Sequence, residues 1–166
     1  MNNKKLSGLF YTAVMGVAVL SLGSCTEKKF NINGTITQAK DSVLYLENMS
    51  LNGPKAVDSV KLDENGNFEF KQKAPDAPEF YRLRIANQMV NLAVDSTESI
   101  TVKAAYPTMS ANYEVSGSEE CAKIRDLAYM QLALQRQVTA IANSPTLGVE
   151  AVEDSVTKVL EVYKNK

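Results

Sequence analysis

Two thiols, Cys25 and Cys121, are the residues of this 166-residue chain best suited to covalent chemistry. Their separation rules out a Cys-x-x-Cys redox pair. There is no histidine, which removes the Ser-His-Asp triad and every His-based zinc or iron site. Neither a Gly-x-Gly-x-x-Gly fingerprint nor a P-loop occurs. Carboxylate-only hydrolysis needs a matched acid pair, and no spacing here nominates one. The sequence therefore points to no catalytic residue, no cofactor and no metal ligand set.

Each thiol still needs a role. Lys4 and Lys5 precede a run from Leu6 to Leu22 that is almost wholly apolar. A basic start, an apolar middle and small residues at the end make a secretory signal. The run is shorter than the roughly 20 residues that a bilayer-spanning helix needs. It ends in Leu22-Gly23-Ser24-Cys25, which resembles a bacterial lipobox. By that resemblance residues 1–24 are a lipoprotein signal peptide, and Cys25 carries acyl chains, palmitate among them. A buried methylene contributes about 0.8 kcal/mol to membrane binding, so several chains hold firmly. Residues 25–29 then form a lipidated cysteine and short polar tether. The expected location is the cell envelope, with the lipid in a bacterial membrane, the outer membrane facing the periplasm being the default.

With Cys25 lipidated, Cys121 is left without a disulfide partner. It lies three residues after Ser118, a natural N-cap, where a helix dipole favours a thiolate. Glu119 and Glu120 oppose that shift. A reactive thiol and a small buried hydrophobe are both open, and the second is favoured. Asp58 and Ser59 carry a similar choice, between an interaction patch and satisfaction of a turn or a neighbouring amide. Tyr81, Tyr106 and Tyr113 could stack on a glycan, although strand tyrosines more often pack in a core. Charge excludes one class outright. Without Lys4 and Lys5 the 18 basic residues fall to 16 against 19 acidic, which offers nucleic acid no basic field.

The elements that must position these residues begin at Phe30, where the apolar period becomes two. Phe30, Ile32 and Ile36 alternate with polar neighbours, as in a half-buried strand, and Gly34 marks a bulge or a close backbone approach. Further strands are expected over 42–49, 56–62, 68–70, 79–86, 88–95, 99–104 and 112–117. Asn65-Gly66 suits a type I′ hairpin between its flanking arms. Asp63, Asn65 and Asn67 could start a calcium loop, but Phe68 and Ala74 occupy positions where that pattern wants glycine and glutamate. The strands before and after Ser96-Thr97-Glu98 are expected to pair with each other. About eight short strands over residues 30–117 predict a mainly β fold, an antiparallel sandwich or open barrel. From Ser118 the period lengthens. Ile124, Leu127, Gln131, Leu134, Val138 and Ile141 form one helical stripe, and Val149, Val152, Val156, Val159 and Tyr163 form another. Residues 118–166 read as a helical hairpin acting as a spacer. No glycine or proline closes its second helix, so a continuation past Lys166 is expected.

Several motifs in order resemble a known family. They are Asn33-Gly34-Thr35-Ile36, Val57-Asp58-Ser59-Val60, Asn65-Gly66-Asn67-Phe68-Glu69-Phe70, Pro78-Glu79-Phe80-Tyr81-Arg82-Leu83 and Val115-Ser116-Gly117-Ser118. Behind a lipobox, this series is similar to the β-rich domain of unknown function at the N-terminus of many Bacteroidetes lipoproteins. There it precedes a helical spacer and a thioredoxin-like, TlpA-type thiol-disulfide oxidoreductase domain. The resemblance implies a non-catalytic accessory module that positions the enzyme domain, in cis, or its protein client. This chain lacks the Cys-x-x-Cys of that enzyme and is not expected to be an enzyme alone. The alternative is a complete binding lipoprotein with a peptide or glycan ligand.

Overall fold

The computed structural model describes residues 27–144 and 148–164; Cys25 and the signal segment lie outside the described residues. Eight strands come first: β1 (Lys29–Thr37), β2 (Val43–Ser50), β3 (Gly53–Lys61), β4 (Asn67–Lys73), β5 (Glu79–Ile85), β6 (Gln88–Val94), β7 (Ser99–Ala105) and β8 (Tyr113–Ser116). Two helices follow, α1 (Glu119–Ala142) and α2 (Val149–Lys164). The strands form two four-stranded sheets, in orders β4-β1-β7-β8 and β3-β2-β5-β6. The sheets do not close into a barrel. Their inner faces meet over Phe30, Ile32, Leu44, Leu46, Leu83 and Leu92, all fully buried. Burial of each such side chain is worth about 1.5–3 kcal/mol, and the period-two alternation of the sequence places them there.

Three expected pairings are corrected. The sandwich is not wholly antiparallel, because β1 and β7 run parallel from Asn31↔Ser99 to Thr37↔Ala105. The chain between Leu62 and Asn67 does not close a hairpin. Strand β3 pairs with β2, whereas β4 pairs with β1 in the other sheet. The local geometry agrees: Gly66 has φ 68° but Asn65 does not join it at positive φ, as a type I′ turn requires. Instead Asp63 Oδ1 accepts from the N–H groups of Asn65 and Gly66, both at 2.9 Å. Likewise Ser96-Thr97-Glu98 carries the chain from β6 in one sheet to β7 in the other. The physical reason is common to both turns. Alternating apolar residues on two arms can face one core as neighbours or as opposite layers, and local pattern does not distinguish the two.

Gly34 is a close-approach position, with the register of β1 continuous through it. A Cβ there would stand 1.7 Å from the carbonyl oxygen of Val102. On the other side of the core, the register between β2 and β3 shifts between Leu46 and Glu47. Such a bulge turns side chains at a sheet edge.

The sandwich has two open sides, and each is closed differently. On one, Asp58 Oδ2 of β3 accepts from Gln72 Nε2 of β4 at 2.9 Å. On the other, α1 runs along β6 and β8. Ser118 caps it, its hydroxyl accepting from Cys121 N–H at 3.3 Å. Cys121 is the buried residue of α1, and Tyr129 packs against the core two turns on. The expected apolar stripe meets both the second helix and the sheet. Leu127 and Leu134, with Met130, border a groove of about 390 Å³ against Leu160 and Tyr163 of α2.

Candidate functional site

The residues singled out from sequence separate in the fold. Asp58 is committed twice, to Gln72 and to the backbone N–H of Ser59 at 2.8 Å. It ties the two edge strands together, and Ser59 lies beside it on β3. Cys121 is fully buried and its thiol donates to the Ala93 carbonyl at 3.2 Å. Burial pushes the thiol above its ordinary range, against the lowering effect of Ser118 and Ala93. That is the reverse of a redox-active cysteine. Tyr81 and Tyr113 are buried in the core and Tyr106 packs against it, so these three form no exposed stacking platform. Among the described residues no group of acidic or thiol side chains could hold a metal ion.

The structure assembles a different cluster, on the outward face of the second sheet. Strands β2 and β5 place Tyr45 opposite Arg84 and Glu47 opposite Arg82. Glu47 is the buried charged residue of the described chain, 5 % exposed. Its carboxylate is clamped by both arginines: Oε2 accepts from Arg82 Nε, and Oε1 accepts from Arg84 Nε at 2.8 Å. Burial works to raise the Glu47 carboxyl, but hydrogen bonds and charge from Arg82 and Arg84 overcome it and hold it below the usual carboxylate range. Arg84 also lies over the ring of Tyr45, 4.7 Å from its centroid, a cation–π contact.

Beside this cluster the face becomes apolar. Phe80, two residues before Arg82 on β5, is 60 % exposed, and Leu127 of α1 is 59 % exposed. Phe80 and Met49 border a groove of about 420 Å³ whose other wall is Ile124 and Leu127. Asn91, the cross-strand partner of Arg82, joins Tyr81 in lining it. In the sequence Arg82 and Arg84 alternate with Tyr81, Leu83 and Ile85, as the polar phase of β5. Their carboxylate partner is not legible there, because Glu47 lies on a strand brought beside them only by the fold.

Fold and face together define an eight-stranded β-sandwich with a helix-bordered groove on one outer sheet surface. The chain belongs to the family described as Domain of unknown function (DUF4369), whose match covers residues 30–123. That span takes in all the described strands from Phe30 onward and the first turn of α1 with Cys121. No curated protein matches the chain.

Proposed function

We propose that this protein is a lipid-anchored module of the bacterial cell envelope. Lipid on Cys25 holds it to a membrane, the outer one facing the periplasm. Its sandwich positions a thioredoxin-like thiol-disulfide oxidoreductase domain, or the protein client of that enzyme, and does no chemistry itself. The observation that carries this reading is an order: a lipobox-like Leu22-Gly23-Ser24-Cys25, a four-residue polar tether, then the family domain over residues 30–123. Cys121 supports it from the other side, since its buried, hydrogen-bonded thiol is unsuited to disulfide exchange.

The anchor is tested by growing cells with an alkyne analogue of palmitate and comparing the protein with Cys25→Ala. Label and membrane retention that both disappear in the variant support lipidation; an unlabelled parent protein rejects it. The accessory role is tested by the coding sequence downstream of Lys166. A thioredoxin-like domain with Cys-x-x-Cys supports a partner in cis, whereas an immediate stop codon removes that partner.

A further inference from the structure

From the groove and the arginine pair together, we infer that the outward face of β2, β5 and β6 binds an extended peptide segment carrying an acidic side chain two residues away from an aromatic or aliphatic one. The inference holds whether or not Cys25 is lipidated or an oxidoreductase is attached, because it rests on this face alone.

Charge comes first. Of the outward side chains on β2, β5 and β6, the ionised ones are Glu47, Arg82 and Arg84, two cations sharing one anion. Glu47 uses only the Nε donor of each arginine. Arg84 sends one Nη group to the Ala86 carbonyl at a long 3.4 Å, and no described residue accepts from the Nη groups of Arg82. A net positive charge with guanidinium donors left over is complementary to a further carboxylate, the geometry arginine recognises best. The buried Glu47 fixes both side chains in place, so little rotamer freedom remains to be lost on binding.

Shape comes second. The groove between Phe80, Met49 and Leu127 opens about 7 Å along β5 from Arg82, the distance spanned by two strand residues. Side chains two residues apart in an extended peptide lie on one face at a similar span, one entering the groove and one meeting the guanidinium. The composition also fits, since aromatic residues, methionine and arginine are the types enriched where proteins bind one another. A membrane surface is a poorer occupant, because the buried Glu47 carboxylate stands between the two arginines.

The test is fluorescence anisotropy with the full chain in detergent micelles and a fluorescein-labelled peptide, Ala-Phe-Ala-Asp-Ala. Two companion peptides carry asparagine or lysine in place of the aspartate. Saturable binding of the acidic peptide is expected, weaker by about fivefold with asparagine and weaker still with lysine. Phe80 is exposed, so Phe80→Glu should leave the unfolding midpoint unchanged while abolishing binding. Equal binding of the acidic and lysine peptides, unaltered binding by Phe80→Glu, or no binding of the acidic peptide at millimolar concentration would overturn the inference. So would a dimer in sedimentation equilibrium that Phe80→Glu dissolves, which would make a second copy the occupant.

Discussion

The phenol of Tyr129 satisfies both backbone hydrogen-bonding groups of Tyr113: its oxygen accepts from the Tyr113 N–H and its proton goes to the Tyr113 carbonyl at 2.6 Å. The two rings also meet edge to face, with centroids 5.6 Å apart. Strand β8 is the edge of its sheet, so these backbone groups have no strand beyond them. A side chain from α1 takes the place of that missing strand. Tyr129→Phe keeps the ring and strips both bonds. Urea denaturation should show a loss of about 2 kcal/mol, the cost of leaving partly buried peptide groups unpaired.

The ionisation of Tyr113 follows from the same packing. Burial, assisted by the neighbouring Tyr129, pushes its phenol up to about 12. The unfolded chain ionises this group near pH 10. The fold therefore favours the neutral phenol, and the stability this provides is complete below about pH 10 and is lost as pH rises toward 12. Spectrophotometric titration should reveal a tyrosine that ionises late, and Tyr113→Phe should remove that step.

Glu47 works in the opposite direction. Its folded carboxyl lies below the ordinary range, so the stability it provides is full above the unfolded value of about 4.3. That contribution falls away as pH drops through the lower folded value. Glu47→Gln leaves two guanidiniums without their counter-charge, and a loss of about 3 kcal/mol at pH 7 is expected. Between pH 5 and 3 the variant should lose less stability than the parent, as read from denaturation midpoints.

Cys121 should resist thiol reagents. With the side chain fully buried and the thiol raised by that burial, it should react at least about a hundredfold more slowly than glutathione at pH 8, at a rate set by opening of α1. Reaction with a chromogenic disulfide, followed with and without urea, measures this directly. Labelling at the rate of free thiol in native buffer would contradict the placement of Cys121.

Gly34→Ala is expected to be the most damaging small substitution. The added methyl would meet the Val102 carbonyl at 1.7 Å, so β1 and β7 must separate or the backbone must shift. A cost of about 3 kcal/mol or more is expected, visible as a fall in unfolding midpoint or as failure to accumulate.

Much of this architecture is legible in the sequence because strand burial has a period of two. Phe30, Ile32, Phe68, Phe70, Leu83 and Ile85 announce their inward faces without any knowledge of neighbours. The cap at Ser118 is local chemistry and is equally readable. Pairing is another matter. Asn65-Gly66 signals a reversal of the chain but carries no information on whether the next strand stays in the same sheet. The parallel union of β1 with β7 joins segments separated by most of the sandwich, which no window of residues contains. The candidate face was hidden for the same reason. Arg82 and Arg84 look like the solvent side of an ordinary strand until β2 brings Glu47 beneath them. Tyr129 lies off the apolar stripe of α1, and its role depends on an edge strand that ends before the helix begins.

Where the chain enters and leaves the sandwich has a consequence for reach. The Asn31 N–H bonds to the Glu98 carbonyl at 2.8 Å, and Gly117 comes up against the Ser99 carbonyl. Entry and exit thus flank the start of β7 at one end of the molecule, about 10 Å apart across two strand spacings. The sandwich is therefore a bead hung from the side of the chain and not a link within it. The roughly 88 residues from Phe30 to Gly117 separate the two flanking segments by only about two strand spacings. Their bulk can grow or shrink in the loops without moving the points of entry and exit apart.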